Sequence, residues 1–174
     1  MKSLCKIVLT GVLLLSAVSL SSCATTKGQP KLSKVYITNT KSVRLLEPQN
    51  MAGSFDDLVY FTAKFGDQEM SFASLFQADE KGIYLNLLNE FATDMGSLYY
   101  DGSQIIVDSN VLPADFKSEY IVFDLQLAFY EINPLSLSLH NSGITFSCEQ
   151  YPDKEIRNVY DGNLIFSLTT FAGL

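Results

Sequence analysis

Residues Lys117–Tyr130 are the stretch that most restricts what this chain can fold into. Wound at 100° per residue, Tyr120, Ile121, Val122, Phe123, Leu125, Leu127 and Phe129 spread around nearly the whole circumference of a helix. Only Asp124 on one side, and Glu119 with Gln126 on the other, interrupt them. A helix that is apolar on almost every side is covered on almost every side. The rest of the chain must therefore wrap it, with a concave sheet on one side and further structure on its back.

The flanking sequence supplies the sheet. In Leu58–Phe65 the residues Val59, Phe61, Ala63 and Phe65 alternate with Tyr60, Thr62 and Lys64, which is the period of a half-buried strand. Gly66-Asp67 reads as a turn, and Gln68–Phe76 returns with Met70 and Phe72 on one side. Ala78–Gly82 reads as a second turn, before Ile83–Leu88 with Ile83, Leu85 and Leu87 on one face. Asn89–Ser97 looks irregular; Leu98–Tyr100 and Gln104–Asp108 then form a hairpin about Asp101-Gly102, residue types that tolerate positive φ. Runs joined by such tight turns are antiparallel neighbours. Two short strands, Val35–Thr38 and Ser42–Leu46, are expected before this meander. Three more follow the helices, at Ile144–Cys148, Ile156–Tyr160 and Leu164–Thr170. A short second helix is expected from Asn133-Pro134 to His140, stopped by Asn141-Ser142-Gly143. The expected class is mostly β with helices (α+β): a curved antiparallel sheet covered by one long and one short helix.

The N-terminus carries a different kind of information. Lys2 and Lys6 precede an apolar run, Ile7 to Leu20, that is too short for the roughly 20 residues of a spanning helix. A charged start, an apolar middle and small residues at a cut site make a secretory signal peptide. The order Leu20-Ser21-Ser22-Cys23 resembles the lipobox of bacterial lipoproteins. That resemblance implies cleavage before Cys23 and acylation of Cys23, with Ala24 pointing to the outer membrane of the cell envelope. An ordinary secretory signal ending in a chance cysteine is the plainer alternative. The expected organisation is a signal peptide (1–22), a lipidated tether (23–34) and one domain (35–174).

Removal of Lys2 and Lys6 takes the formal charge from −7 to −9. So acidic a chain is a poor partner for nucleic acid or for the phosphate-rich face of a membrane. Lys27, Lys31, Lys34 and Lys41 form a mild basic cluster beside the anchor, expected as a solvated tether, with contact to anionic headgroups as the alternative. Only one cysteine, Cys148, remains besides the lipidated one, so no internal disulfide forms; Cys148 is expected as a small buried hydrophobe.

Catalytic and metal chemistry is hard to assemble from these residues. The single histidine, His140, lies at a helix C-terminus, where an imidazolium is favourable on dipole grounds, and no nucleophile motif accompanies it. One histidine and one spare cysteine do not make a metal site. Asp56-Asp57 and Asp101 read as solvated turn residues, and Asp124 stands out as the acid placed among apolar neighbours. The expectation is a chain without enzymatic activity, cofactor or metal, acting as a monomer.

Three segments carry a further resemblance: Asp94-Met95-Gly96-Ser97-Leu98-Tyr99-Tyr100-Asp101-Gly102, Val111-Leu112-Pro113 and Asp124-Leu125-Gln126-Leu127-Ala128-Phe129-Tyr130. Together, across about Ser54–Thr170, they resemble a family of bacterial lipoproteins of unknown function that is similar to the LolA/LolB lipoprotein carriers. Tyr130-Glu131 departs from that family's aromatic-proline pair, and its members continue with another hairpin past the position of Thr170. The resemblance implies an incomplete β-barrel with helices over its concave face, enclosing an apolar cavity for acyl chains, lipids or lipoproteins. The alternation assigns the lining of such a cavity to Val59, Phe61, Phe65, Met70, Phe72, Ile83, Leu85 and Leu87 on the sheet. Leu125 and Phe129 face them from the helix. The competing expectation is an envelope scaffold whose core is filled.

Overall fold

A computed structural model describes residues 33–65, 68–89, 91–109 and 117–171; the side chains of 61–65 and 68–72 lie outside that description. Cys23, the signal segment and the Gly66-Asp67 and Val111–Pro113 stretches fall outside the described residues.

Among the described residues the chain is mostly β with two helices, and the antiparallel sheets do not close into a barrel. Strands β1 (Lys34–Tyr36) and β2 (Ser42–Arg44) form a short hairpin with Val35 opposite Val43, both buried. One 3-10 turn, Pro48–Asn50, leads into a five-stranded meander. Its strands are β3 (Phe55–Phe65), β4 (Gln68–Asp79), β5 (Gly82–Leu88), β6 (Asp94–Tyr100) and β7 (Ile105–Asp108), neighbours in chain order. Helices α1 (Ser118–Phe129) and α2 (Ile132–Asn141) follow. A second meander of β8 (Thr145–Gln150), β9 (Lys154–Asp161) and β10 (Asn163–Phe171) ends the described chain. A single hydrophobic cluster joins all of these parts. It draws Val35, Val43 and Leu45 from the first hairpin and Phe76, Ile83, Leu85, Leu98 and Tyr100 from the large sheet. Val122, Phe123, Leu125 and Leu127 come from α1, Leu135 and Leu139 from α2, and Val159 from β9.

The expected elements are present, and their differences in extent have local causes. Asp56 and Asp57 are exposed residues inside β3 rather than turn residues, on the margin of the sheet where water reaches them. Asp56 accepts a hydrogen bond from Gln77 Nε2 across the strand pair at 3.1 Å. The second turn is tighter than expected, since β4 runs on through Ala78 to Asp79, whose carboxylate accepts the Lys81 N–H at 2.8 Å. The segment expected to be irregular contains the first half of β6. Alternation is lost there because the β5–β6 register shifts between Leu87 and Leu88. Gly96 takes φ +126°, and a Cβ on it would sit 2.4 Å from the Ser109 Cβ. Asp94 holds this bulge by accepting the Gly96 N–H at 2.8 Å. At the next turn Asp101 accepts the N–H groups of Ser103 and Gln104, at 2.7 and 2.9 Å, with Gly102 at φ +90° against Pro48. Burial alone raises the Asp101 pKa, but these hydrogen bonds outweigh it and hold the carboxyl at about 2. The Asp94–Gly102 segment is thus a turn-and-bulge device.

Helix α2 starts at Ile132, with Glu131 as its N-cap, so Asn133 lies inside the first turn and is not the cap. Pro134 is tolerated so early because its missing N–H has no carbonyl to reach.

Candidate functional site

The register of the large sheet decides which residues share a face. Phe55 pairs with Ala78, Val59 with Ser74, Phe61 with Phe72 and Ala63 with Met70. Ala78 pairs in turn with Ile83, Phe76 with Leu85 and Ser74 with Leu87. Directly opposed residues lie on one side of a pleated sheet, and the period is two. All eight sheet positions expected to line a cavity therefore share one face: 59, 61 and 65 on β3, 70 and 72 on β4, and 83, 85 and 87 on β5.

That face has two parts. Between Phe55 and Val59, β3 and β4 are backed by β5, and the helices cover the sheet. Ile83, Leu85 and Leu87 are buried, as is Leu125 of α1. Phe129, at the C-terminus of α1, stacks on Phe76 with ring centroids 4.5 Å apart and tilts against Phe55 at 4.9 Å. These expected lining residues are brought together as a packed core. The other part is an arm. Strand β5 reaches no further than Leu88, which pairs with Ala73, whereas β3 and β4 continue pairing out to Phe65 and Gln68. Positions 61, 65, 70 and 72 all lie on this two-stranded extension; their side chains are outside the described residues. Val59 stands at its root, half-buried. A groove of about 320 Å³ lined by Phe55, Gln77, Gly82, Tyr84 and Tyr99 opens at the opposite end of the sheet and includes none of the expected lining residues.

The helix is held over the packed part by polar contacts that alternation does not reveal. Gln126 is 1% exposed, and its amide behaves as a peptide unit for the strand beside it. Its Oε1 accepts the Leu46 N–H at 3.0 Å, while its Nε2 donates to the Leu46 carbonyl at 2.8 Å. The Tyr100 hydroxyl donates to the same carbonyl at 2.9 Å. Both Gln126 amide atoms are thereby committed, and the neighbouring Tyr130 hydroxyl is buried without a hydrogen-bond partner among the described residues. Burial drives the pKa of both phenols above their ordinary range. At the C-terminal end of α1, Arg157 of β9 donates to the carbonyls of Leu127 and Tyr130, at 2.9 and 2.8 Å, and pairs with Glu155. A buried guanidinium against the last carbonyls of a helix satisfies acceptors that have no partner within the helix, at the negative end of its dipole. Gln126 had a visible signal, since it breaks an otherwise apolar circumference. Arg157 had a weaker one, a cation between Ile156 and Asn158 in the middle of an expected strand.

The other singled-out groups lie apart. Asp124 is half-buried, has no ion pair or hydrogen bond among the described residues, and is raised by desolvation to about 6. His140 is exposed in the last turn of α2. Cys148 is free and half-buried, its thiol pushed up first by burial and then by Glu155. Among the described residues no helix is long and apolar enough to cross a membrane.

Comparison with known families covers most of this architecture. A family described as Protein of unknown function (DUF3261) matches residues 60–168, well over half of the chain. The chain belongs to this family. The DUF3261 match runs from the root of the arm, through both helices, into β10, and leaves the β1–β2 hairpin outside. No curated protein and no solved structure matches the chain.

Proposed function

We propose that this protein is a lipid-anchored, non-catalytic lipoprotein of the bacterial outer membrane that binds or transfers acyl chains, lipids or lipoproteins. The observation that carries the reading is the continuation of one apolar sheet face, from the packed region onto an arm that no third strand backs among the described residues. An apolar sheet face is stable in water only when something covers it. On the arm that cover would be an acyl chain, held between Val59, Phe61, Phe65, Met70 and Phe72 and the adjoining edge of α1. The covered sheet then takes the form of an incomplete LolA/LolB-like barrel closed by its ligand. The signal segment and the Leu20–Cys23 lipobox support the location, and three acyl chains exceed the two signals that stable anchoring takes.

A second reading, an envelope scaffold with a filled core, is favoured by the tight burial of Ile83, Leu85 and Leu125. Titration of a fluorescent fatty acid into the soluble Cys23→Ala protein distinguishes the two. Saturable binding in the parent, altered by Phe61→Ala and blocked by Ala63→Phe with little loss of melting temperature, is the outcome expected of a carrier. Absence of saturable binding, with both variants severely destabilised, leaves the scaffold. For the anchor, a Cys23→Ala protein that stays in the membrane pellet as firmly as the parent overturns lipidation.

A further inference from the structure

The charges of this chain are segregated along the sequence. Between Ala24 and Leu46 it carries Lys27, Lys31, Lys34, Lys41 and Arg44 and no acidic residue; all 19 acidic residues follow, from Glu47 onward, against five basic ones. The first hairpin turns part of this surplus outward. Its register sets Lys34 opposite Arg44 and Tyr36 opposite Ser42, alternate to the buried Val35 and Val43. Lys34 and Arg44 are exposed, as is Tyr36 at 58%. Lys41 is already committed, 2.5 Å from Asp161 Oδ1 and 2.8 Å from the Gly143 carbonyl, and it ties the turn of the hairpin to the body. Among the described residues the side chains of Lys34 and Arg44 have no such acidic partner. Like charges directly opposed on an antiparallel pair repel, so this face is stabilised by an anion placed over it.

We propose that the outward face of the β1–β2 hairpin, built from Lys34, Tyr36 and Arg44, rests on anionic phospholipid headgroups beside the lipid anchor. The inference depends on Cys23 being acylated. Ten residues separate Cys23 from Lys34, a span of at most about 40 Å, and the hairpin is the first described element after the anchor. Each basic residue near an anionic surface strengthens its attachment about fivefold, and a tyrosine beside the pair suits the headgroup layer. The acidic remainder of the domain is repelled by the same surface, which turns the large sheet and its arm away from the headgroups.

The chain contains no tryptophan, so Tyr36→Trp provides a single reporter in the lipidated protein. The protein is reconstituted in vesicles of brominated phosphatidylcholine, alone or mixed equally with brominated phosphatidylglycerol. The indole at position 36 is expected to be quenched in the mixed vesicles and not in phosphatidylcholine, with quenching abolished by high salt. Lys34→Glu with Arg44→Glu is expected to weaken the contact about tenfold or more. Lys34→Gln with Arg44→Gln, at an unchanged melting temperature, gives a smaller loss in the same direction and separates lost contact from lost fold. Quenching that is equal in both vesicles, or indifferent to these substitutions, overturns the proposal. Co-sedimentation with pure phosphatidylcholine vesicles reads the anchor alone. A parent left in the supernatant there overturns acylation and this docking together, whereas a sedimenting parent with an unquenched indole overturns the docking face only.

Discussion

One apolar face of the large sheet meets two different fates. Around Phe76, Ile83 and Leu85 it disappears under α1, while along positions 61–72 the same face continues on two strands with no third paired to them among the described residues. The residue types barely differ between the two regions, both being rich in Phe, Leu or Met at alternate positions. What differs is the length of β5, which stops at Leu88. An isolated pair of strands is marginal in water, so under the proposed reading a bound acyl chain would stabilise the arm, whereas the packed end draws its stability from the helices. A lipid-handling role fits a molecule that separates these tasks, one end of a sheet carrying the fold and the other remaining available.

This contrast can be broken most directly at the packed end. Leu125→Asp places an unpaired carboxylate inside the buried hydrophobic cluster and is expected to cost several kcal/mol, enough to abolish a cooperative melt; a variant that melts like the parent removes the buried-helix account. Leu127→Asp, two residues on and nearly on the opposite side of the same helix but equally buried, is expected to behave alike. Arg157→Met comes next. It leaves the Leu127 and Tyr130 carbonyls without their donor and Glu155 without its cation, a loss of about 2–4 kcal/mol by urea denaturation.

Paired truncations sharpen the comparison. Leu85→Ala is expected to cost about 2–5 kcal/mol, the range for a large aliphatic residue in a packed core. Phe61→Ala on the arm is expected to fall below the roughly 3–5 kcal/mol of a well-packed Phe→Ala. Equal, large losses at both positions would mean that the arm is packed as tightly as the rest of the face.

The smallest effect concerns Asp124, which lies with Ile121 and Ala128 on the half-buried stripe of α1. Its carboxyl titrates at about 6 in the folded chain, against an ordinary value of 3.8. The folded state thus holds a proton that the unfolded state has released between these values, and stability falls as pH rises through that window. Asp124→Asn is therefore expected to gain about 2–3 kcal/mol at pH 7 and almost nothing at pH 3. Denaturation at the two pH values checks this, and an equal gain at both would place the cause outside the titration.

Much of the architecture is readable from the residues because the two periods are so clear. Val59 to Phe65 and Ile83 to Leu87 alternate, and the greasy circumference of Tyr120–Phe129 demands cover. The shared face of eight sheet positions follows from the same alternation, since each tight turn preserves register. Other features leave no periodic trace. The β5–β6 bulge spoils alternation just where β6 begins, so Asp94–Ser97 reads as irregular. The end of β5 at Leu88, which divides the face into core and arm, depends on where the chain turns away, and the apolar pattern does not record that. Gln126 and Arg157 act through backbone groups 80 and 30 residues distant, and a backbone carbonyl is the same at every position of a sequence.

The separation of Gln126 from Leu46 has a consequence for the order of assembly. The first hairpin can pair with itself as soon as Ser42–Arg44 exists, yet the Leu46 N–H finds its acceptor, Gln126 Oε1, only when a helix synthesised 80 residues later has formed. Closing so long a loop is slow compared with local pairing. The earliest-made part of the domain is therefore the last to be locked. In a refolding experiment with pulsed deuterium labelling, the Leu46 amide should remain open to exchange after the strand amides of β4 and β5 have closed.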